Sequence, residues 1–216
     1  MSIKVLLADD HKIVREGLRS LLEKEESISV LALADNGRMA VRLAKEMLPD
    51  VVVMDIAMPD MNGIEATRRL VSENPEVKVL ALSMHSARRF VVEALTAGAK
   101  GYLLKDCAAE ELVRAIRTVA AGKVYLSPDV ADQIVKDYVK NPPETSPSTL
   151  KLLSTREKEV LQLISEGKNT KEIAFTLHVS IKTVESHRQQ IMKKLNLQSI
   201  AGLTRYAIRE GLTPLE

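Results

Sequence analysis

Five short apolar runs punctuate the first half of the chain: "IKVLLA" (3–8), "ISVLALA" (28–34), "VVVM" (51–54), "VKVLALS" (77–83) and "GYLL" (101–104). Each is of strand length, rich in Val, Leu or Ile, and nearly continuous in its apolar character. That pattern marks strands covered on both faces. Between and after them lie amphipathic patterns with helical spacing near 12–24, 37–47, 63–72, 86–97 and 108–121. Alternating buried strands and helices fold as a parallel sheet with helices on both sides. Five strands predict a flavodoxin-like α/β domain of order 2-1-3-4-5, and in such sheets function gathers at the carboxyl ends of the strands.

Those ends carry polar residues. Asp9 and Asp10 follow the first run, Asp55 the third, Ser83 closes the fourth and Lys105 follows the fifth. Separately each has an ordinary explanation. Acids before "HKIVREGLRSLL" commonly cap a helix, and Asp55, Pro59 and Gly63 suit a turn. Together they place three carboxylates, a hydroxyl and an ammonium on one rim. Crowded carboxylates need a cation, and all-oxygen ligation suits Mg²⁺. The lysine and serine then complete a pocket that can hold a phosphoryl group.

A helical pattern at 129–140 leads into "NPPETSPST" (141–149), which has three prolines, two serines and two threonines and reads as a semi-extended linker. The expected division is therefore an α/β domain over 1–124, a connector over 125–151, and an all-α four-helix domain over 152–216 with helices near 155–166, 170–177, 181–195 and 199–210. Charge divides the same way. Residues 151–216 carry 11 Lys/Arg against 7 Asp/Glu, a net of +4, which leaves the preceding part at −2 of the total +2. A basic C-terminal part favours an anionic partner. The single cysteine, Cys107, excludes an internal disulfide framework and suits a reducing cytoplasm, and no apolar run reaches membrane-spanning length.

Within 170–195, Ile173, Ala174 and Leu177 point one way along a short helix, "HVS" makes a turn, and Ser180 is a suitable N-cap for the next helix. There Val184, Ile191 and Leu195 share a face opposite Lys182, Ser186, Gln189 and Lys193, with Glu185 on the flank. Two helices, a tight turn and an outward polar stripe describe a helix-turn-helix whose second helix enters the major groove. A polar stripe is also what any solvated helix face presents.

The segments "LLADD", "VVVMDIAMPDMNG", "ALS" and "GYLLKD" resemble the receiver domain of bacterial two-component response regulators over about 1–122. The resemblance implies that Asp55 accepts a phosphoryl group from a sensor histidine kinase or a small acyl phosphate. It implies Mg²⁺ ligation by Asp10, Asp55 and the Ala57 backbone carbonyl, with Asp9 acting through water. Lys105 would pair with the phosphoryl group, and Ser83 and Tyr102 would move together as a hydroxyl–aromatic switch pair. Many receivers follow the lysine with proline; this chain has Asp106.

The stretches "REKEVLQLISEGK", "KEIA", "TVESH" and "IMKKL" resemble the NarL/FixJ (LuxR-type) DNA-binding domain over about 152–212. On that resemblance Glu185, Ser186 and Gln189 read bases, while Lys182, Thr183, His187, Arg188 and Lys193 contact phosphates. The last helix, with Ile200, Leu203 and Ala207, would serve dimerisation as well as core packing.

The expectation is a cytoplasmic, DNA-binding transcriptional regulator of a two-component system. Phosphorylation would free the C-terminal domain across the linker and favour a homodimer on two half-sites of double-stranded DNA. The chain is not expected to be an enzyme beyond slow self-dephosphorylation. A haloacid-dehalogenase-like hydrolase would place a second acid two residues after its nucleophile, where this chain has Ala57. A constitutive DNA-binding protein would have no use for the complete acid–Ser–Lys set.

Overall fold

The structure is a computed structural model that describes residues 2–140 and 152–213, with the side chains of 137–140 left aside. The chain divides into two compact units, Met1–Pro143 and Glu144–Glu216.

In the first unit β1 (Ile3–Ala8), β2 (Ile28–Ala34), β3 (Val51–Asp55), β4 (Lys78–Ser83) and β5 (Gly101–Leu104) alternate with α1 (Lys12–Leu22), α2 (Gly37–Met47), α3 (Gly63–Glu73), α4 (Arg88–Thr96) and α5 (Ala109–Ala120). All strand pairs are parallel, in the order β2-β1-β3-β4-β5-β6. The predicted five strands are present, and a sixth, the two-residue β6 (Tyr125–Leu126), adds to the edge of β5.

Alternate strand residues feed the two faces. Val5, Leu7, Val51, Val53, Leu80 and Leu103 pack with Leu22 of α1 and Leu112, Ile116 and Val119 of α5. Leu6, Ala8, Val52, Met54 and Val79 pack with Ala40 and Ala44 of α2 and Ala66 and Leu70 of α3. Every residue of β3 is buried, as its continuous apolar run requires. Each such aliphatic side chain withdrawn from water contributes about 1.5–3 kcal/mol before the entropy of ordering.

The connector begins later than expected. In α6 (Pro128–Lys140), Val130 is fully buried among Phe90, Val91, Ala94 and Tyr102, with Ile134 partly buried beside it. Ser127 N–H donates to the Tyr102 carbonyl at 3.2 Å. Residues 125–134 thus pack with the α/β unit, because β5 offers an unpaired edge and α4 an apolar face. The Pro/Ser/Thr-rich segment 141–149 lies outside the described residues.

The second unit comprises α7 (Thr155–Ser165), α8 (Thr170–Leu177), α9 (Ile181–Leu195) and α10 (Ile200–Arg209). Its helices start on side-chain caps. Ser154 with Glu157 and Asn169 with Glu172 form reciprocal capping boxes, while Ser180 accepts from Thr183 N–H and Ser199 from Gly202 N–H. These satisfy donors that the first turn of a helix leaves unpaired. The core holds Val160, Leu163, Ile173, Leu177, Val184, Ile191, Leu203 and Ala207. His178 and Asn196 end α8 and α9 in the left-handed conformation, at φ 53° each.

Candidate functional site

The carboxyl ends of β1, β3, β4 and β5 meet at one rim. Asp55, the last residue of β3, is 1% exposed, and Asp9 is equally buried. Lys105 Nζ lies 2.7 Å from both Asp55 Oδ2 and Asp9 Oδ2. The other Asp55 oxygen, Oδ1, accepts the Ala57 N–H at 3.1 Å. Asp9 Oδ1 accepts the His11 N–H at 2.8 Å, and Arg15 donates to the Asp9 carbonyl. Asp9 and Asp10 do not cap α1: the N-cap is His11, with no side-chain capping bond. Asp9 turns inward to the lysine instead.

Backbone bonds fix the rim. Ile56 N–H donates to Leu82 O at 3.1 Å, Lys105 N–H to Ser83 O at 2.8 Å, and Gly63 N–H to Ile56 O at 3.1 Å. The last of these folds the loop back beneath Asp55. A Cβ on Gly63 would lie 1.9 Å from the Asp55 carbonyl oxygen, so only glycine permits that approach. Asn62 then caps α3 through the Glu65 N–H at 2.9 Å.

Ser83 is fully buried, and its Oγ accepts the His85 N–H at 2.9 Å. Tyr102 is also fully buried and donates its hydroxyl to the His85 carbonyl at 2.6 Å. The tyrosine therefore already occupies an inward position, tied to the same loop residue as the serine. Burial pushes its phenol up to about 12, against the Ser83 hydrogen bond. The His85 ring stacks on Phe90 of α4 with centroids 4.7 Å apart, which carries the loop into the α4 core.

Charge is costly here. Burial raises the Asp55 carboxyl above the ordinary range, against the opposing pull of Lys105, and neighbouring Asp9 raises it further. Burial disfavours the Lys105 ammonium too, but Asp55 and Asp9 outweigh it and the lysine is raised, hence charged. One cation thus faces two buried carboxylates, with Asp10 beside them. Ligand atoms from Asp9, Asp10, His11 and Asp55 all lie within 4.8 Å of one another. The Asp10 Oδ1 is buried and accepts no hydrogen bond. Three carboxylates around an uncompensated negative charge fit a hard divalent cation. The expected set, Asp9, Asp10, Asp55, Ser83 and Lys105, is therefore brought together. His11 was missed: a histidine after two acids carries no pattern of its own, and only the turn into α1 brings its ring to the cluster.

On α9, Lys182, Glu185, Ser186, Gln189 and Lys193 are exposed, while Thr183, His187 and Arg188 are half-buried. Thr183 Oγ1 lies 2.8 Å from the capping Ser180 Oγ, so it also supports the helix start. His187 Nδ1 is buried without a hydrogen-bond partner. Lys194 forms an ion pair with buried Glu157 of α7 at 2.7 Å and fixes α9 against the bundle. The three residues expected at a dimer contact separate. Leu203 and Ala207 are fully buried in the core, whereas Ile200 is 51% exposed. Phe175 of α8, 82% exposed, was not anticipated from the sequence.

Residues 5–117 match the family described as response regulator receiver domain, and residues 151–207 that described as bacterial regulatory proteins, luxR family. The chain is similar to the oxygen regulatory protein NreC of Staphylococcus carnosus, with 39% identity across 97% of this chain and 99% of that protein. It is equally similar to the response regulator UvrY of Escherichia coli, at 39% identity across 99% of this chain and 97% of that protein. Among solved structures it resembles RcsB from Salmonella enterica serovar Typhimurium, bound to promoter rprA in the presence of phosphomimetic BeF3-. The TM-score is 0.62 at 26% identity, covering 95% of this chain and 98% of that one. No described helix is long and apolar enough to cross a membrane.

Proposed function

We propose that this chain, which belongs to the response regulators joining a receiver domain to a LuxR-type DNA-binding domain, stores a phosphoryl group on Asp55 and uses it to control DNA binding. The observation that carries the proposal is the buried Asp55 carboxylate within 2.7 Å of Lys105, which also touches Asp9. An Asp55 oxygen attacks phosphorus as the bond to a phosphohistidine nitrogen of a sensor kinase, or to the oxygen of an acyl phosphate, breaks. The bonding pair leaves with the donor. Lys105 offsets charge on the phosphoryl oxygens. The Ser83 hydroxyl accepts the His85 N–H and would turn its own proton from Tyr102 to the phosphoryl group.

Asp10, Asp55 and the Ala57 carbonyl would hold Mg²⁺, with Asp9 reached through water. When bound, the ion neutralises the carboxylates and draws charge from the phosphoryl oxygens. Ala57 stands where a hydrolase would need a second acid. Water is left without an activating base, so the phosphoryl group persists as a signal rather than turning over.

Phosphorylation adds about −1.5 to −2 charges and strong acceptor oxygens. Ser83 and Tyr102 both bond His85, so drawing Ser83 toward the phosphoryl group shifts the loop that leads into α4. The altered receiver releases the helical domain to bind two half-sites as a homodimer. There α9 reads bases through Glu185, Ser186 and Gln189, and Lys182, Thr183, His187, Arg188 and Lys193 meet phosphates. Ile200 is the dimer contact supported by its exposure. The transfer step is tested with radiolabelled acetyl phosphate on the full chain. Wild type takes up label and Asp55→Asn does not; stoichiometric, acid-stable label on that variant contradicts the assignment.

A further inference from the structure

We propose that His11 supplies a ring nitrogen to the cation pocket and makes it favour first-row transition ions such as Co²⁺ over Mg²⁺. This rests on the reading of the acidic rim as a divalent-cation site. His11 Nδ1 lies 2.9 Å from Asp10 Oδ1 and 3.5 Å from Asp9 Oδ1. Two adjacent ligands of one octahedral ion, each at about 2.0–2.1 Å, stand about 3 Å apart. The His11–Asp10 separation is that edge.

The contact is an ion pair only when the ring is protonated, and it is not aligned as a hydrogen bond. Asp10 Oδ1 is buried and accepts no hydrogen bond, although the ring nitrogen is so near. With the ring neutral and its proton on Nε2, Nδ1 and Oδ1 would both turn lone pairs to a shared centre. Asp9, by contrast, is already engaged: Oδ1 takes the His11 N–H at 2.8 Å and Oδ2 faces Lys105 at 2.7 Å. That first bond also fixes the backbone of His11, so the imidazole stands on an anchored residue. Its side chain is 66% exposed and free of packing that would hold the ring away from an arriving ion.

An all-oxygen pocket suits Mg²⁺, which discriminates against nitrogen donors. Replacing one water by imidazole raises affinity for the ions that imidazole suits, in the order Mn²⁺ below Co²⁺ below Ni²⁺. The preference thus comes from one ring nitrogen added to a carboxylate set that by itself suits Mg²⁺.

The test titrates tag-free full-length protein with Co²⁺ and with Mg²⁺ by calorimetry, comparing wild type with His11→Ala and Asp10→Asn. His11→Ala should weaken Co²⁺ binding at this site by about tenfold or more and change Mg²⁺ binding by less than about threefold. Asp10→Asn should weaken both. In a second measurement, Mn²⁺ bound to the wild type should show ¹⁴N modulation of its electron spin echo, lost in His11→Ala. Parallel losses for both ions, an unchanged Co²⁺ affinity, or echo modulation that survives in His11→Ala would overturn the role of His11 while leaving the acidic site standing. A wild type that binds neither ion at Asp10 would remove the site itself.

Discussion

On the proposed function, Asp55 is caught between the burial that would shield an acyl phosphate and the charge that must form one. Its carboxyl is raised by burial first, with Asp9 adding to the effect. A carboxyl raised in the folded state binds its proton more tightly there than in the unfolded chain. Stability is therefore lost as pH climbs through the window from the unfolded carboxyl value to the raised folded one. Asp55→Asn removes the buried charge and leaves Lys105 paired with Asp9 at 2.7 Å. Without divalent cations, the variant should melt higher than wild type at neutral pH, and the difference should shrink in acid. Thermal denaturation across pH checks this; a variant that melts lower at neutral pH would show that the Lys105–Asp55 pair outweighs the burial cost. At this scale the sequence was most legible for Asp9, Asp10, Asp55, Ser83 and Lys105, because each follows or closes a strand whose length and hydrophobicity fix where it ends. Tyr102 and His11 were less so. Tyr102's direction depends on the loop carbonyl of His85, and the ring of His11 depends on a turn.

At the scale of elements, the parallel strands and their helices follow from periodicity, and the four C-terminal helices from caps such as Ser154, Asn169, Ser180 and Ser199. What periodicity does not reveal is which face another element covers. β6 has two residues, too few to show a pattern, and Val130 on α6 looks like any apolar residue of a connector helix. It is nonetheless packed against Tyr102, Phe90 and Val91. Removing two methyl groups there should cost about 2 kcal/mol. Val130→Ala is accordingly expected to lower the denaturation midpoint of the α/β unit, whereas Val135→Ala, at a 60% exposed position of the same helix, should not. Urea melts of the two variants decide whether this helix is part of the unit or merely follows it. The same blindness applies to α10: Ile200, Leu203 and Ala207 lie on one stripe, yet two of them face the core and one faces solvent.

At the scale of the whole molecule, the division of charge between a mildly acidic first part and a basic last part agrees with the division into two units. The helical unit's interaction with DNA should be governed by phosphate contacts and hence by salt. Lys193→Ala is expected to weaken binding to all sequences alike and to flatten the salt dependence. Gln189→Ala should relax preference at one base position and cost about 1–3 kcal/mol of discrimination there. Selection from a randomised DNA pool at two salt concentrations separates these roles; if both variants altered sequence preference alike, the division between base and phosphate contacts would be wrong.

The central claim joins the two units: a phosphoryl group on Asp55 governs what α9 does. Its most direct measurement is DNA selection and affinity for the full chain with and without acetyl phosphate and Mg²⁺, for wild type and Asp55→Asn. The account predicts that acetyl phosphate tightens binding of the wild type as a dimer to two half-sites and leaves Asp55→Asn unchanged. Equal DNA affinity with and without a stoichiometrically phosphorylated Asp55, or an equal response in Asp55→Asn, would contradict it.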